Sequence, residues 1–336
     1  MAERFPELLT TISGETIRTA EDFECFKKPE LKALFSAFEY GEVPKRQLTG
    51  FEITAAETLP YAVKKTVQLD CEGFRFETRL YLPLSQKSPV PAFIQILNLT
   101  EKENPEVIRY LAEMGFSSAF FSAETVVTDK PEPTGLPEKD ETGVLSCWGW
   151  AFSRILDYLE KEPQIDAEKV AIVGHSRGGK TTLWAFANDP RFFLCVANNS
   201  GCGGASLHRG TTGERVTDIT KNFGYWFCKK FADFSGKEEM LPFDQHELMA
   251  LSAPRRLYIT SATEDAWACP GNEVDAIRMA SAAYPLYGKK GAVLPEEIKT
   301  GVYYHEGNIA YHRREGKHDM TLFDWQGFAE YFKGVL

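Results

Sequence analysis

The chain has 336 residues, 43% of them hydrophobic and 26% charged, enough to bury one large α/β core or two smaller ones. A formal net charge of -10, with no basic run interleaved with aromatics, argues against nucleic acid or an anionic membrane as partner. No apolar stretch approaches the ~20 residues that a membrane span needs, and the seven cysteines include no C-x-x-C pair and no zinc spacing, so they read as free thiols in a reducing compartment.

In chain order, the first residues are acidic where a secretory leader needs a basic start and an apolar run. The expected location is therefore cytoplasmic for the chain as given, or secreted or periplasmic if a leader has been removed. Residues 1–60 are expected to be a helical extension packed on the body, with a helix over 20–40, and 61–336 a single catalytic domain. Residues 66–82 alternate apolar and polar side chains around Glu72-Gly73, the pattern of an antiparallel hairpin. Short β-rich runs follow at 92–97, 117–121, 170–173, 194–198, 257–261 and 302–305. Helical periodicity fills the intervals at 105–114, 143–160, 181–188, 245–251, 272–284 and 321–332. Such alternation predicts a mostly parallel sheet with helices on both faces. Residues 122–142, polar and proline-rich, read as a long surface loop, and 200–244 as a segment that caps or walls the site.

The stretch VAIVGHSRGGKTTLWAF joins a short apolar strand to a helix, and Gly174, Ser176 and Gly178 within it spell G-x-S-x-G. A strand turning sharply into a helix exposes one side chain at the apex, and its flanking positions must be nearly side-chain-free. The same residues also satisfy a phosphate-binding loop through Gly174, Gly179, Lys180 and Thr181. A phosphate loop normally follows the first strand of its fold. Here four or more strand candidates precede Gly174, which suits a hydrolase elbow on a fifth strand. The fold class expected is the α/β-hydrolase fold, a three-layer sandwich.

An elbow serine on this fold needs an acid and then a histidine later in the chain. His318, in a glycine-containing loop just before the last helix, is placed to take the serine proton, while His312 and His246 are better placed as structural groups. Glu264 and Asp265 follow the 257–261 strand, and either could orient the imidazole. The Arg177 amide is one expected oxyanion donor, the loop after Leu97 should supply a second, and the Arg177 guanidinium could add a third.

Five blocks carry a resemblance: GVLSCWGWAFSRILDYLE, GHSRGGK, ANNSGCGGASLHR, LPFDQHELMALSAPR and KHDMTLFDW. Together, in this order, they resemble the glucuronoyl esterases, carbohydrate esterase family fifteen, and particularly its bacterial branch. The resemblance implies a serine carboxylic-ester hydrolase without cofactor or metal, cleaving 4-O-methylglucuronate esters that join glucuronoxylan to lignin alcohols in plant cell walls. It implies Ser176 as nucleophile, Arg177 as oxyanion arginine, His318 as base, Lys180 as a contact to the uronic acid hydroxyls and Trp267 as a sugar-facing ring. It favours Asp265 over Glu264. Asn199 stands where fungal members place a catalytic glutamate, so the acid must come from the later loop. His175 and Asp319 stand where the family has a disulfide, which is therefore absent. Around residues 214–224 only Arg215 and Phe223 offer themselves as substrate contacts. The expected partner is a small or oligosaccharide ester, and the expected state a monomer. An acetyl-xylan or other carbohydrate esterase is the nearest alternative. A phosphate-loop nucleotide-binding protein and a catalytically silent carbohydrate binder remain as readings from other classes.

Overall fold

The computed structural model describes residues 5–84, 89–99, 101–136 and 142–336. One ten-stranded sheet runs through the molecule in the order β1-β2-β3-β5-β4-β6-β7-β8-β10-β9. Its strands are β1 (Gly50–Thr58), β2 (Ala62–Cys71), β3 (Phe74–Pro83), β4 (Val90–Leu97), β5 (Ser117–Ser122), β6 (Ile165–His175), β7 (Leu194–Asn198), β8 (Arg256–Ala262), β9 (Tyr303–Tyr304) and β10 (Ile309–Arg314). The six from β5 to β10 across the centre are parallel, and β1–β3 and β9 run antiparallel at the two ends. The central strands are buried on both faces, which explains why they read as continuous apolar runs rather than alternating ones.

The expected hairpin is β2–β3, closed at Cys71↔Phe74. Glu72 and Gly73 between them have φ of 52° and 87°, as a two-residue turn that follows the strands' own twist demands. Two strands escape the sequence. β1 is an edge strand exposed along nearly its whole length, so no burial alternation marks it. Its presence corrects the expected boundary: the helical part of the N-terminal segment ends at Tyr40, and Gly50–Thr58 belongs to the central sheet. Consequently the elbow follows the sixth strand, not the fifth. β10 (IAYHRR) is missed because two of its five buried residues, His312 and Arg314, are ionisable; both are bonded to the buried Asp324.

Helices cover both faces. They are α1 (Lys28–Phe35), α2 (Pro105–Met114), α3 (Val144–Leu159), α4 (Arg177–Asn188), α5 (Val216–Phe223), α6 (Gln245–Ala250), α7 (Pro270–Ala280) and α8 (Leu322–Gly334). α2 shows the local logic: Asn104 caps it, Pro105 starts it, and Gly115 ends it with φ of 90°. The N-terminal helical run is tied into the body rather than laid on it. Tyr40 stacks on Trp184 of α4 at 4.9 Å and donates its hydroxyl to the Gly203 carbonyl, while Phe35 packs on Phe243 at 4.2 Å. The fully buried Glu39 accepts from Gln245 and sits 3.3 Å from the His208 imidazole; despite its burial, that negative charge helps raise His208 well above the usual histidine range. Among the described residues no helix is long and apolar enough to cross a membrane.

Candidate active site

The C-terminal ends of neighbouring parallel strands collect the candidate residues. Ser176 follows β6, Asn199 follows β7, Asp265 lies three residues past β8, and His318 lies four past β10. Ser176 has φ 56° and ψ -123°, a strained conformation for a residue with a Cβ, and α4 begins at the next residue. The need for glycine on both sides is steric. A Cβ on Gly174 would fall 2.1 Å from the Gly178 carbonyl oxygen, and one on Gly178 would fall 2.8 Å from Ile96 and 2.9 Å from the Asn98 amide. The Ser176 N–H donates to the Asn198 carbonyl and its own carbonyl accepts from Gly179, pinning the apex from β7 on one side and from α4 on the other.

The two candidate acids differ in contact. Asp265 is 5% exposed, and its Oδ2 accepts from His318 Nδ1 at 2.6 Å and from Asn199 Nδ2 at 2.8 Å. Burial pushes this carboxyl up, but the bonds from His318 and Asn199 together hold it below the usual aspartate value. Glu264 is exposed, and its N–H donates to the Gly316 carbonyl, so it steadies the loop that carries His318. Of the two acids that the sequence leaves open, it is Asp265 that bonds to His318. Asn199 occupies the left-handed region at φ 47° and replaces a carboxylate by an amide that holds one. Beneath them Glu273 of α7, fully buried, accepts from the Ser261 hydroxyl and the Gly201 N–H, and burial pushes its carboxyl up to about 8.

Arg177 is held as a fixed cation. Its guanidinium pairs with Asp129 and lies over Trp226 at 4.5 Å and Phe223 at 5.6 Å. Asp129 in turn accepts from Tyr225 and from the Trp226 indole. It comes from the segment expected to be a surface loop, of which 137–141 lie outside the described residues; the Asp129 side chain itself is buried beside Arg177, while Lys130 next to it is exposed. In the loop after Leu97 the first amide is already engaged. The Asn98 N–H donates to Glu101, and the Asn98 side chain donates to the His175 carbonyl. Replacing Asp129 by Asn is expected to lower kcat about 100-fold, the scale of losing one oxyanion donor, with KM within a few-fold; steady-state kinetics would check this.

Lys180, one turn into α4, is buried and donates to the carbonyls of Ser200 and Cys202, with Glu214 3.7 Å away. A phosphate-loop lysine needs its amine free for an anion. This one is enclosed by oxygens, and Thr181 donates to the Arg177 carbonyl, so the nucleotide reading is overturned. Glu214 N–H donates to the Trp267 carbonyl, which brings Lys180, Glu214 and the 56%-exposed Trp267 to one flank of the site. Arg215, next along, is exposed at the start of α5 and lines a shallow cleft with Arg209, Thr211 and Glu239. Sequence reasoning missed Asp129, Glu214 and Glu273. Only Glu214, in the 214–224 region already under suspicion, carried a local signal.

An elbow serine, an imidazole bonded to a buried carboxylate and an anchored arginine beside the nucleophile, on an α/β-hydrolase sheet, define a serine carboxylic-ester hydrolase. A family model described as "Glucuronyl esterase, fungi" matches residues 66–288. Carbohydrate esterase MZ0003, from an unknown prokaryotic organism, is 32% identical, over 97% of this chain and 88% of that protein. A solved promiscuous family-fifteen esterase from a marine bacterial metagenome superposes with a TM-score of 0.91 at 31% identity, covering 100% of this chain and 98% of its own. The 4-O-methyl-glucuronoyl methylesterase of Hypocrea jecorina is 26% identical over 84% of this chain and 62% of its own length. The chain belongs to the glucuronoyl esterase family, carbohydrate esterase family fifteen.

Proposed function

We propose that the protein hydrolyses esters of 4-O-methylglucuronate or a closely related uronate through an acyl-enzyme. Ser176 Oγ attacks the ester carbonyl while His318 Nε2 takes its proton. Asp265 holds the Nδ1–H tautomer and stabilises the imidazolium. The Arg177 guanidinium and its backbone amide face the charge that develops on the carbonyl oxygen. His318 then gives the proton to the departing alkoxide, and water, activated by the same imidazole, releases the uronate and restores Ser176. The observation that carries the chemistry is the 2.6 Å bond between His318 and the buried Asp265, on the strand ends that also present the elbow.

The uronate assignment rests on the exposed Trp267 ring, two residues past Asp265, which suits a sugar acyl group better than acetyl, and on the activity for which the fungal relative is named. The test is hydrolysis of benzyl glucuronate beside p-nitrophenyl acetate by the wild-type protein. The expected result is a kcat/KM at least ~10-fold higher for the glucuronate, about 1.4 kcal/mol of transition-state preference. Equal or better turnover of the acetate would move the substrate to another carbohydrate ester while leaving the triad in place.

A further inference from the structure

His318 is 43% exposed at its side chain, and among the described residues its one side-chain hydrogen bond is to Asp265. A ring held at a single atom can swing about that bond, yet Nε2 must meet the serine proton within a narrow geometry. The second support is His175, the last residue of β6, whose ring centroid lies 4.5 Å from that of His318 at an interplanar angle of 45°. His175 is itself rigidly set. Asn198 donates its amide N–H to Thr260, which leaves Oδ1 as acceptor, so the 2.6 Å contact to His175 requires His175 Nδ1 to carry the hydrogen. The His175 carbonyl is fixed as well, by the Asn98 amide. Three adjacent strand ends thus converge on one imidazole that takes no part in the proton transfers described above.

We infer that His175 is a positioning residue for the catalytic base, an uncharged ring forming the wall against which the His318 imidazole is held at its productive angle. The ring's neutrality matters because a cation in this place would oppose the imidazolium that forms on His318. Burial, reinforced by the neighbouring His318, pushes His175 down to about 4, against the weaker pull of the Asn198 bond and of the Asp319 and Asp324 carboxylates. Across the working pH range it therefore remains neutral.

The inference rests on the serine-esterase reading, so it is tested on p-nitrophenyl acetate as well as benzyl glucuronate, with Ser176→Ala as the control that the measured turnover is this site's. His175→Ala removes the wall, and kcat is expected to fall between ~10- and 100-fold on both esters with KM little changed. His175→Phe keeps a ring of similar breadth but strands Asn198 Oδ1, so it should lower Tm while keeping kcat within about threefold of wild type. His175→Asn keeps a donor for Asn198 and has no ring, so it should hold Tm and lose kcat as the alanine variant does. This makes it the deciding variant if His175→Ala does not fold. A phenylalanine variant as slow as the ringless ones, or a ringless variant with wild-type kcat, would overturn the inference.

Discussion

Ser176→Ala is expected to lower kcat about 10⁶-fold, the largest single effect available in this protein, while leaving fold and ligand binding intact. The size follows from the elbow. Only one side chain projects from the apex, and the glycines on either side of it cannot be replaced by a second nucleophile without the clashes at Gly178, Ile96 and Asn98 described above. The intact fold follows from the backbone: the Ser176 side chain makes no capping bond to α4, and the apex is held by its own N–H and carbonyl. Alanine also fits the positive φ no worse than serine does. Single-turnover kinetics on benzyl glucuronate should show no burst and a residual rate near that of desolvation and oxyanion stabilisation alone. Calorimetric binding of glucuronate should be unchanged. A residual kcat within ~100-fold of wild type would mean that water, or another side chain, attacks the ester directly.

The same elbow shows what was legible without coordinates. G-x-S-x-G is a local steric requirement, so it is written in adjacent residues, and the helix and hairpin signals around it are local too. His318 could be found because chain order and a glycine loop before the last helix are also local. Asp265 and Glu264, neighbours in sequence, could not be separated by pattern. What separates them is which one turns inward to meet Asn199 and His318, from β7 and from the loop after β10. Asp129 was hidden for a different reason. A polar, proline-rich segment reads as solvated, and nothing within it reveals that Tyr225, Trp226 and Arg177, about 50 to 100 residues onward, converge on its carboxylate. Edge strand β1 lacked a signal because it buries almost nothing. In each case the missing information is a long-range partner.

Asp265→Asn should lower kcat about 10⁴-fold, as the same change does in other serine triads, whereas Glu264→Gln should leave it within about twofold, as expected of an exposed side chain away from special contacts. The reason lies in the double duty of Asp265 Oδ2, which accepts from both His318 Nδ1 and Asn199 Nδ2. An asparagine has one acceptor oxygen and one NH₂. If the oxygen takes the place of Oδ2 it can accept from both His318 and Asn199, but the NH₂ then confronts the Ala268 N–H that Asp265 Oδ1 accepts. If the amide is turned to relieve that clash, the NH₂ confronts Nδ1–H and the imidazole is driven to the wrong tautomer. Either arrangement also removes the charge that stabilises the imidazolium. The paired exchange Asp265→Asn with Asn199→Asp keeps an acceptor for His318 at position 265 and places a carboxylate beside it at position 199. It returns the negative charge to the site, but one side chain further from the ring. The exchange should therefore recover ~10-fold or more of the activity lost in the single variant without reaching wild type. Steady-state kinetics of the three variants measure both halves of the argument, and an exchange variant no faster than Asp265→Asn would show that a carboxylate at position 199 cannot serve the His318 imidazole.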